Sequence, residues 1–382
     1  MRALIICTGL LLYVGAGPVS TFPLEIYGPA ELLSADEQDQ KPEKKGDEIE
    51  EDDSGFVALP VVYYTPETQL ALGVGGMYYF HLSGLGYRSS SLQLFSVYTT
   101  NNQFQLEVVP ELYWDEDRFR FRGSFSADRF VDRFFGIGNT TPKDSEEQFK
   151  SRKMNVALNL QARVFSSYYA GLEYRFRWEK ITEFDPEGQL KNSGYLGVEP
   201  GVSSGFSLFA VKDSRDTLYS PLSGAFHQLS YGWFRSWMGS DFEFTRAKAD
   251  LRRYIQLTGR HILALQAYIE SLTGHPPFQM LALFGGQERM RGHYLGRYRD
   301  KFMAAVQAEY RFPLYKRFHG NLFAGLGDVA PSWQDFTLDN LKYSLGGGLR
   351  YLFDPDEGLV LRLDLGFARD DFGFYISVLQ AF

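Results

Sequence analysis

From Phe56 to the end of the chain, apolar and polar residues alternate with a period of two almost everywhere. Ala170, Leu172, Tyr174, Phe176 and Trp178 stand against Gly171, Glu173, Arg175 and Arg177. Leu359, Leu361, Leu363, Leu365 and Phe367 flank Arg362, Asp364 and Gly366 in the same way, and Phe104, Leu106, Val108 and Leu112 alternate with Gln105, Glu107 and Glu111. Such a repeat is that of strands with one greasy and one polar face. It predicts sixteen of them: 56–65, 70–82, 88–100, 102–114, 118–128, 149–165, 167–181, 198–213, 224–236, 242–257, 259–273, 302–313, 318–327, 342–353, 358–368 and 373–382. Most are long enough to cross a bilayer at a tilt, which takes about 9 to 11 residues.

Periodicity alone does not separate a soluble sandwich from a membrane barrel, because both alternate. Connection lengths do. The long gaps, 129–148, 182–197, 274–301 and 328–341, all fall on odd-numbered connections, and the even-numbered ones are mostly short. Long loops on one side and short turns on the other are the asymmetry of an outer-membrane barrel with both ends in the periplasm. The expected fold is therefore all-β, a 16-stranded antiparallel transmembrane β-barrel.

Composition agrees with this. Aromatics reach 16% and glycines number 38, while mean hydropathy is only −0.25. A barrel reconciles these values, since only alternate residues meet lipid. Residues 1–20 have the order of a secretory signal peptide: Met1-Arg2, then an apolar run, then small residues. Cys7, the single cysteine, lies inside that run, so the chain beyond it cannot form an internal disulfide. Much of the net charge of −8 comes from residues 36–53, "DEQDQKPEKKGDEIEEDD", with ten acids and three lysines. The segment 21–55 is therefore expected to be a disordered, acidic periplasmic spacer, and 56–382 the barrel.

The six histidines, His81, His227, His261, His275, His293 and His319, are dispersed without metal-ligand spacing. No G-x-S-x-G elbow occurs, and "LGVGGMYYF" is better taken as strand glycines than as a phosphate cradle. Neither an enzyme, a metal nor another cofactor is expected, nor is a nucleic-acid partner.

The segment "GGQERMRGHYLGRYRDKF", 285–302, concentrates four arginines and a lysine in a Gly-rich loop, the sixth on the outer side. In the strand after it, Met303, Ala305, Gln307, Glu309 and Arg311 face the lumen. The motifs "FGGQERMRGHYLG", "AEYRFPL", "LFAGLGDVA" and "KDSRDTLYSPLSGAFHQLSYGW", with the terminal "FGFYISVLQAF", resemble those of the Omp85 superfamily, the BamA/TamA-type surface-antigen barrels. The resemblance implies that the sixth extracellular loop folds into the lumen. There Arg291 would pair with acids on the neighbouring strands, Glu309 being the first. Gly292 would let the backbone turn closely, and Tyr294 would lie on the lumen wall. The family usually carries an aspartate where this chain has Gly325; Asp328, three residues on, either replaces it or opens the next loop. Arg289, Arg297, Arg299 and Lys301 are assigned only to solubility, lumen charge or lipopolysaccharide contact.

The resemblance further implies insertion, folding or translocation of outer-membrane or surface proteins in the bacterial outer membrane. The working element would be the seam between the first strand, with Phe56 and Pro60, and the last, with Phe374, Ile376, Val378 and Phe382 on one face. Partners would be membrane lipids, lipopolysaccharide and client proteins. Family members usually carry POTRA domains of about 75 residues ahead of the barrel. The 35 or so residues between signal and first strand hold none, which calls for a periplasmic partner to supply that function. The competing expectations are a passive pore and a scaffold for a partner lipoprotein.

Overall fold

The computed structural model describes residues 12–13, 54–65, 69–82, 90–116, 118–217, 220–354, 358–378 and 380–382. Apart from Leu12–Tyr13, the signal stretch lies outside the described residues, as does the acidic segment up to 53. Among the described residues, sixteen long strands form the wall. The first eight are β1 (Gly55–Thr65), β2 (Gln69–Phe80), β3 (Ser90–Thr99), β4 (Phe104–Trp114), β5 (Phe119–Phe134), β6 (Glu147–Phe165), β7 (Tyr168–Phe184) and β8 (Gly201–Asp213). Then come β9 (Gly224–Phe234), β10 (Phe244–Thr258), β11 (His261–Gly274), β12 (Phe302–Tyr315), β13 (Phe318–Ala330), β14 (Lys342–Asp354), β15 (Leu359–Phe367) and β16 (Phe372–Val378).

Each strand pairs antiparallel with the next, from β1–β2 through to β15–β16. The connections in which this happens are short on one side of the sheet, and hairpin pairing in order is the simplest topology they permit. Strict alternation then sorts the side chains. Leu172, Leu208, Leu229, Tyr231, Leu251 and Ile269 are exposed on the outside, while their neighbours Glu173, Ser207, Ser230, Asp250 and Glu270 point inward. This inverted arrangement, apolar outward and polar inward, is that of a transmembrane barrel. Curvature is visible in what the sheet surrounds: the segment between β11 and β12 touches β5, β11, β12, β14 and β15 at once.

Two boundaries differ from the sequence expectation by more than three residues. Residues 129–134, expected in a loop, continue β5 against β6, because Phe134 and Phe149 extend the inward alternation and pack with Leu190 and Phe278 of the long loops. At the other end, β16 stops at Val378 instead of running to 382. Its last residues turn inside, where Phe382 is 4% exposed and packs with Tyr254 and Ala264. Phe382 therefore does not share the outer face of Phe374 and Ile376. Leu12–Tyr13, set aside above as leader, pair in parallel with Val62–Tyr63 on the edge of β1 away from β2.

Candidate functional site

The long loops close one mouth of the barrel. The segment between β11 and β12 bends inward and carries its own two-stranded hairpin, Ala282–Phe284 against Tyr298–Asp300. Phe284 and Met290 of the loop form a buried cluster with Phe234, Phe244, Met303 and Val329 of the wall. Burial of these apolar groups, each contributing roughly 1.5 to 3 kcal/mol, anchors the loop in the lumen. The loops before β6 and β8 cover it: the Gly138 N–H donates to the Arg299 carbonyl, and the Phe278 N–H to that of Leu196.

Arg291 lies at the tip, fully buried. One guanidinium nitrogen, Nη2, is 2.6 Å from Glu309 Oε2 on β12, and Nη1 donates to Asp364 Oδ2 on β15 at 2.7 Å. Phe323 of β13 stacks beneath, with Arg291 Cζ 3.6 Å from the ring centre. Burial alone pulls the guanidinium pKa down, but the fields of Glu309 and Asp364 outweigh it and hold it above its ordinary value. The clasp extends sideways: Arg311 Nε donates to Glu309 Oε1 at 2.7 Å, and Arg350 Nη1 donates to Asp364 Oδ1 at 2.5 Å. Arg362 Nε lies 3.7 Å from Asp364. Four arginines thus share two carboxylates in one buried cluster.

The backbone around Arg291 is tied to the final strands. Ser344 of β14 donates to the Arg291 carbonyl, and the Gly292 N–H donates to Tyr375 Oη of β16 at 2.9 Å. Gly292 has φ +107°, and a Cβ there would lie 2.9 Å from the backbone of Phe367. Only glycine fits this approach. Facing it, a Cβ on Gly366 would come within 2.6 Å of the Gly292 nitrogen. Tyr294 reaches the opposite wall, its hydroxyl donating to Asp132 at 3.3 Å while Arg133 sits over its ring.

Asp328 is not part of this clasp. It pairs with Lys342 at 3.2 Å and accepts from Asn139 at 3.0 Å. Gly325 explains the change: a Cβ there would sit 3.0 Å from Met290 Sδ, so the loop itself fills the space an aspartate would need. The second carboxylate comes from Asp364 instead. The remaining loop cations also have partners in the protein: Arg297 donates to the Thr141 carbonyl, Arg299 to that of Arg133 and Lys301 to that of Gly274. Arg289 lies over the Tyr268 ring. The inward tail joins the same network, since Arg311 Nη2 donates to the Phe382 backbone oxygen at 2.7 Å and Arg350 Nε to Gln380 Oε1 at 3.0 Å.

The pattern of the Omp85 superfamily domain matches residues 82–368. This chain belongs to the Omp85 superfamily. The Omp85 barrel is similar to BamA from Haemophilus ducreyi lacking POTRA domains 1–3, with 14% identity and a TM-score of 0.60 over 86% of this chain and 70% of that one. It is also similar to CdiB from Acinetobacter baumannii, at 12% identity and a TM-score of 0.54, covering 85% of this chain and 59% of that one. CdiB from Escherichia coli gives 11% identity and 0.55, over 85% and 61%. At these identities the likeness is one of fold. No curated protein matches the sequence.

Proposed function

We propose that this Omp85 barrel works in the bacterial outer membrane by inserting or translocating outer-membrane or surface proteins through the seam between β1 and β16, without catalysis. The observation that carries the reading is the way the inserted loop holds the final strands. Ser344, Asp364 and Tyr375 bind it from β14, β15 and β16 in turn. Release of Arg291 therefore loosens one side of the seam and leaves β1 in place.

The seam is thin on its own account. β16 offers only seven residues, and Pro60 in β1 has no N–H to give a ladder. A client strand that adds to this edge pairs with its main-chain groups in the place that Leu12–Tyr13 take at Val62–Tyr63. Lipid and lipopolysaccharide contact the outer face, and a periplasmic partner delivers the client. A passive pore fits less well, because three loops and the clasp occupy the lumen mouth. The test is a disulfide lock, with single cysteines scanned along Phe56–Pro60 against Phe374–Ile376. Locked barrels that lose assembly of surface proteins in cells, and regain it on reduction, support the seam; unchanged assembly rejects it.

A further inference from the structure

The lumen beside the loop contains a hollow of about 160 Å³, and Arg175, Arg246 and Lys248 also border a second of about 50 Å³. The smaller hollow owes its room to what β8 and β9 turn inward, Ser207 and Ser230 lining it. Their lumen positions are Ser203, Gly205 and Ser207, then Ser230 and Gly232, alternating with the outward Leu208, Leu229 and Tyr231. A wall of small residues leaves space in front of it. On either side stand long basic residues, Arg175 and Arg177 on β7, and Arg246 and Lys248 on β10. β7 and β10 are three strand spacings apart, about 14 Å, so side chains from both reach toward the middle. Arg289 and Arg299 of the loop cover the hollow, and Lys153 of β6 completes the ring.

The charge is unequal. Seven basic residues line the larger hollow against three acids, Glu107, Asp132 and Glu270. Carboxylates take up much of this excess: Glu173 binds Arg175, Glu179 binds Arg177, the lining Glu270 binds Arg246, and Lys153 Nζ lies 4.0 Å from Asp128 and 3.8 Å from Asp132. For Arg299, 3% exposed, no carboxylate of the described residues lies in ion-pair range, and its Nε has no hydrogen-bond partner. Water excluded by the loops strengthens every such field. The room is that of several waters, since one needs about 10 to 15 Å³.

We propose that this hollow is a binding site for an oxyanion, phosphate or carboxylate, held by Lys248, Lys153, Arg299 and the free faces of Arg175 and Arg177. It rests on lumen geometry and not on the seam reading. Two sources offer the same chemistry: a free anion, or the carboxylates of the chain's own acidic stretch at 36–53.

The experiment is titration of the full chain, in zwitterionic detergent at low salt, with inorganic phosphate followed by calorimetry and phosphorus NMR. A second chain carries Asn and Gln in place of the acids of 36–53. Saturable binding to both chains assigns the site to a free anion; binding only to the neutralised chain assigns it to the protein's own carboxylates. Either way, Lys248→Gln and Ser230→Asp weaken binding at least tenfold, and Lys248→Arg keeps it. Ser230→Asp removes no ion pair, so its effect is separable from misfolding, which thermal unfolding without phosphate monitors. Absence of saturable binding in both chains, or equal affinity in all folded variants, overturns the proposal.

Discussion

Arg291 and Asp364 are 73 positions apart in sequence, yet Nη1 of one donates to Oδ2 of the other at 2.7 Å with neither side chain exposed to solvent. That contact joins the loop to the penultimate strand. Its energetics follow from a count: Arg291, Arg311, Arg350 and Arg362 share Glu309 and Asp364.

Removing an acid from a cluster already rich in guanidinium leaves uncompensated buried charge, which costs about 3 to 5 kcal/mol. Removing Arg291 brings three arginines against two acids and improves the balance. Asp364→Asn is therefore expected to lower stability by about 3 to 5 kcal/mol, and Arg291→Gln by less, although Arg291→Gln releases the loop more completely. Urea unfolding of the folded barrel in lipid vesicles gives both values. The reverse order would refute the shared-cluster account.

The close approach of Gly292 to Gly366 makes a steric prediction. A methyl group at Gly366 meets the Gly292 nitrogen at 2.6 Å, and both contacts are backbone, so neither can swing aside. Gly366→Ala is expected to destabilise by about 1 to 3 kcal/mol and to expose the arginine-rich loop to trypsin. Resistance equal to that of the parent protein would show that the loop has slack here.

The pattern of greasy and polar residues was sufficient for the wall, because a period of two both defines a strand and assigns its faces. Arg362 and Asp364 already stood on the polar side of their strand in the sequence. Their partnership with a loop 70 residues earlier was not visible, since nothing local specifies which lumen groups meet across the barrel. That Asp328 stands outside the clasp, one of two readings the sequence left open, was hidden for a related reason. Met290 fills the space beside Gly325, and packing of a distant loop is not written in the strand that receives it. The inward turn of Phe382 was hidden too, because its spacing places it on the face of Ile376 and Val378 on paper, with only Gln380 departing from the apolar run where pairing stops.

That turn has its own consequence. Phe382 packs on Tyr254 and Ala264 with its backbone oxygen on Arg311, so Phe382→Ala is expected to cost about 3 kcal/mol, while Phe382→Leu costs less than about 1.5 kcal/mol. Chemical denaturation of refolded barrel distinguishes these values. Equal stability for all three proteins would mean that the tail contributes nothing inside the lumen.

His293 supplies a pH dependence. Burial lowers its pKa below 6.5, although its contact with the Tyr343 carbonyl and the field of Asp371 oppose this. The folded loop therefore favours neutral imidazole, and the unfolded chain binds the proton more readily. The stabilisation is complete above about pH 6.5 and falls as pH drops toward the lower folded value. Protection factors of residues 285–301, corrected for the intrinsic pH dependence of amide exchange, should fall between pH 7.5 and 5.5, and His293→Gln should flatten that change. Protection that rises on acidification contradicts the sign.

The most direct measurement of the inserted loop is thiol labelling on intact cells with a membrane-impermeant reagent. Met290→Cys replaces a side chain with no exposed surface, one residue before Arg291, and Trp237→Cys replaces one that is 76% exposed on the connection between β9 and β10. The account predicts rapid labelling at 237 and none at 290 until the barrel is unfolded; labelling at 290 as fast as at 237 would contradict it.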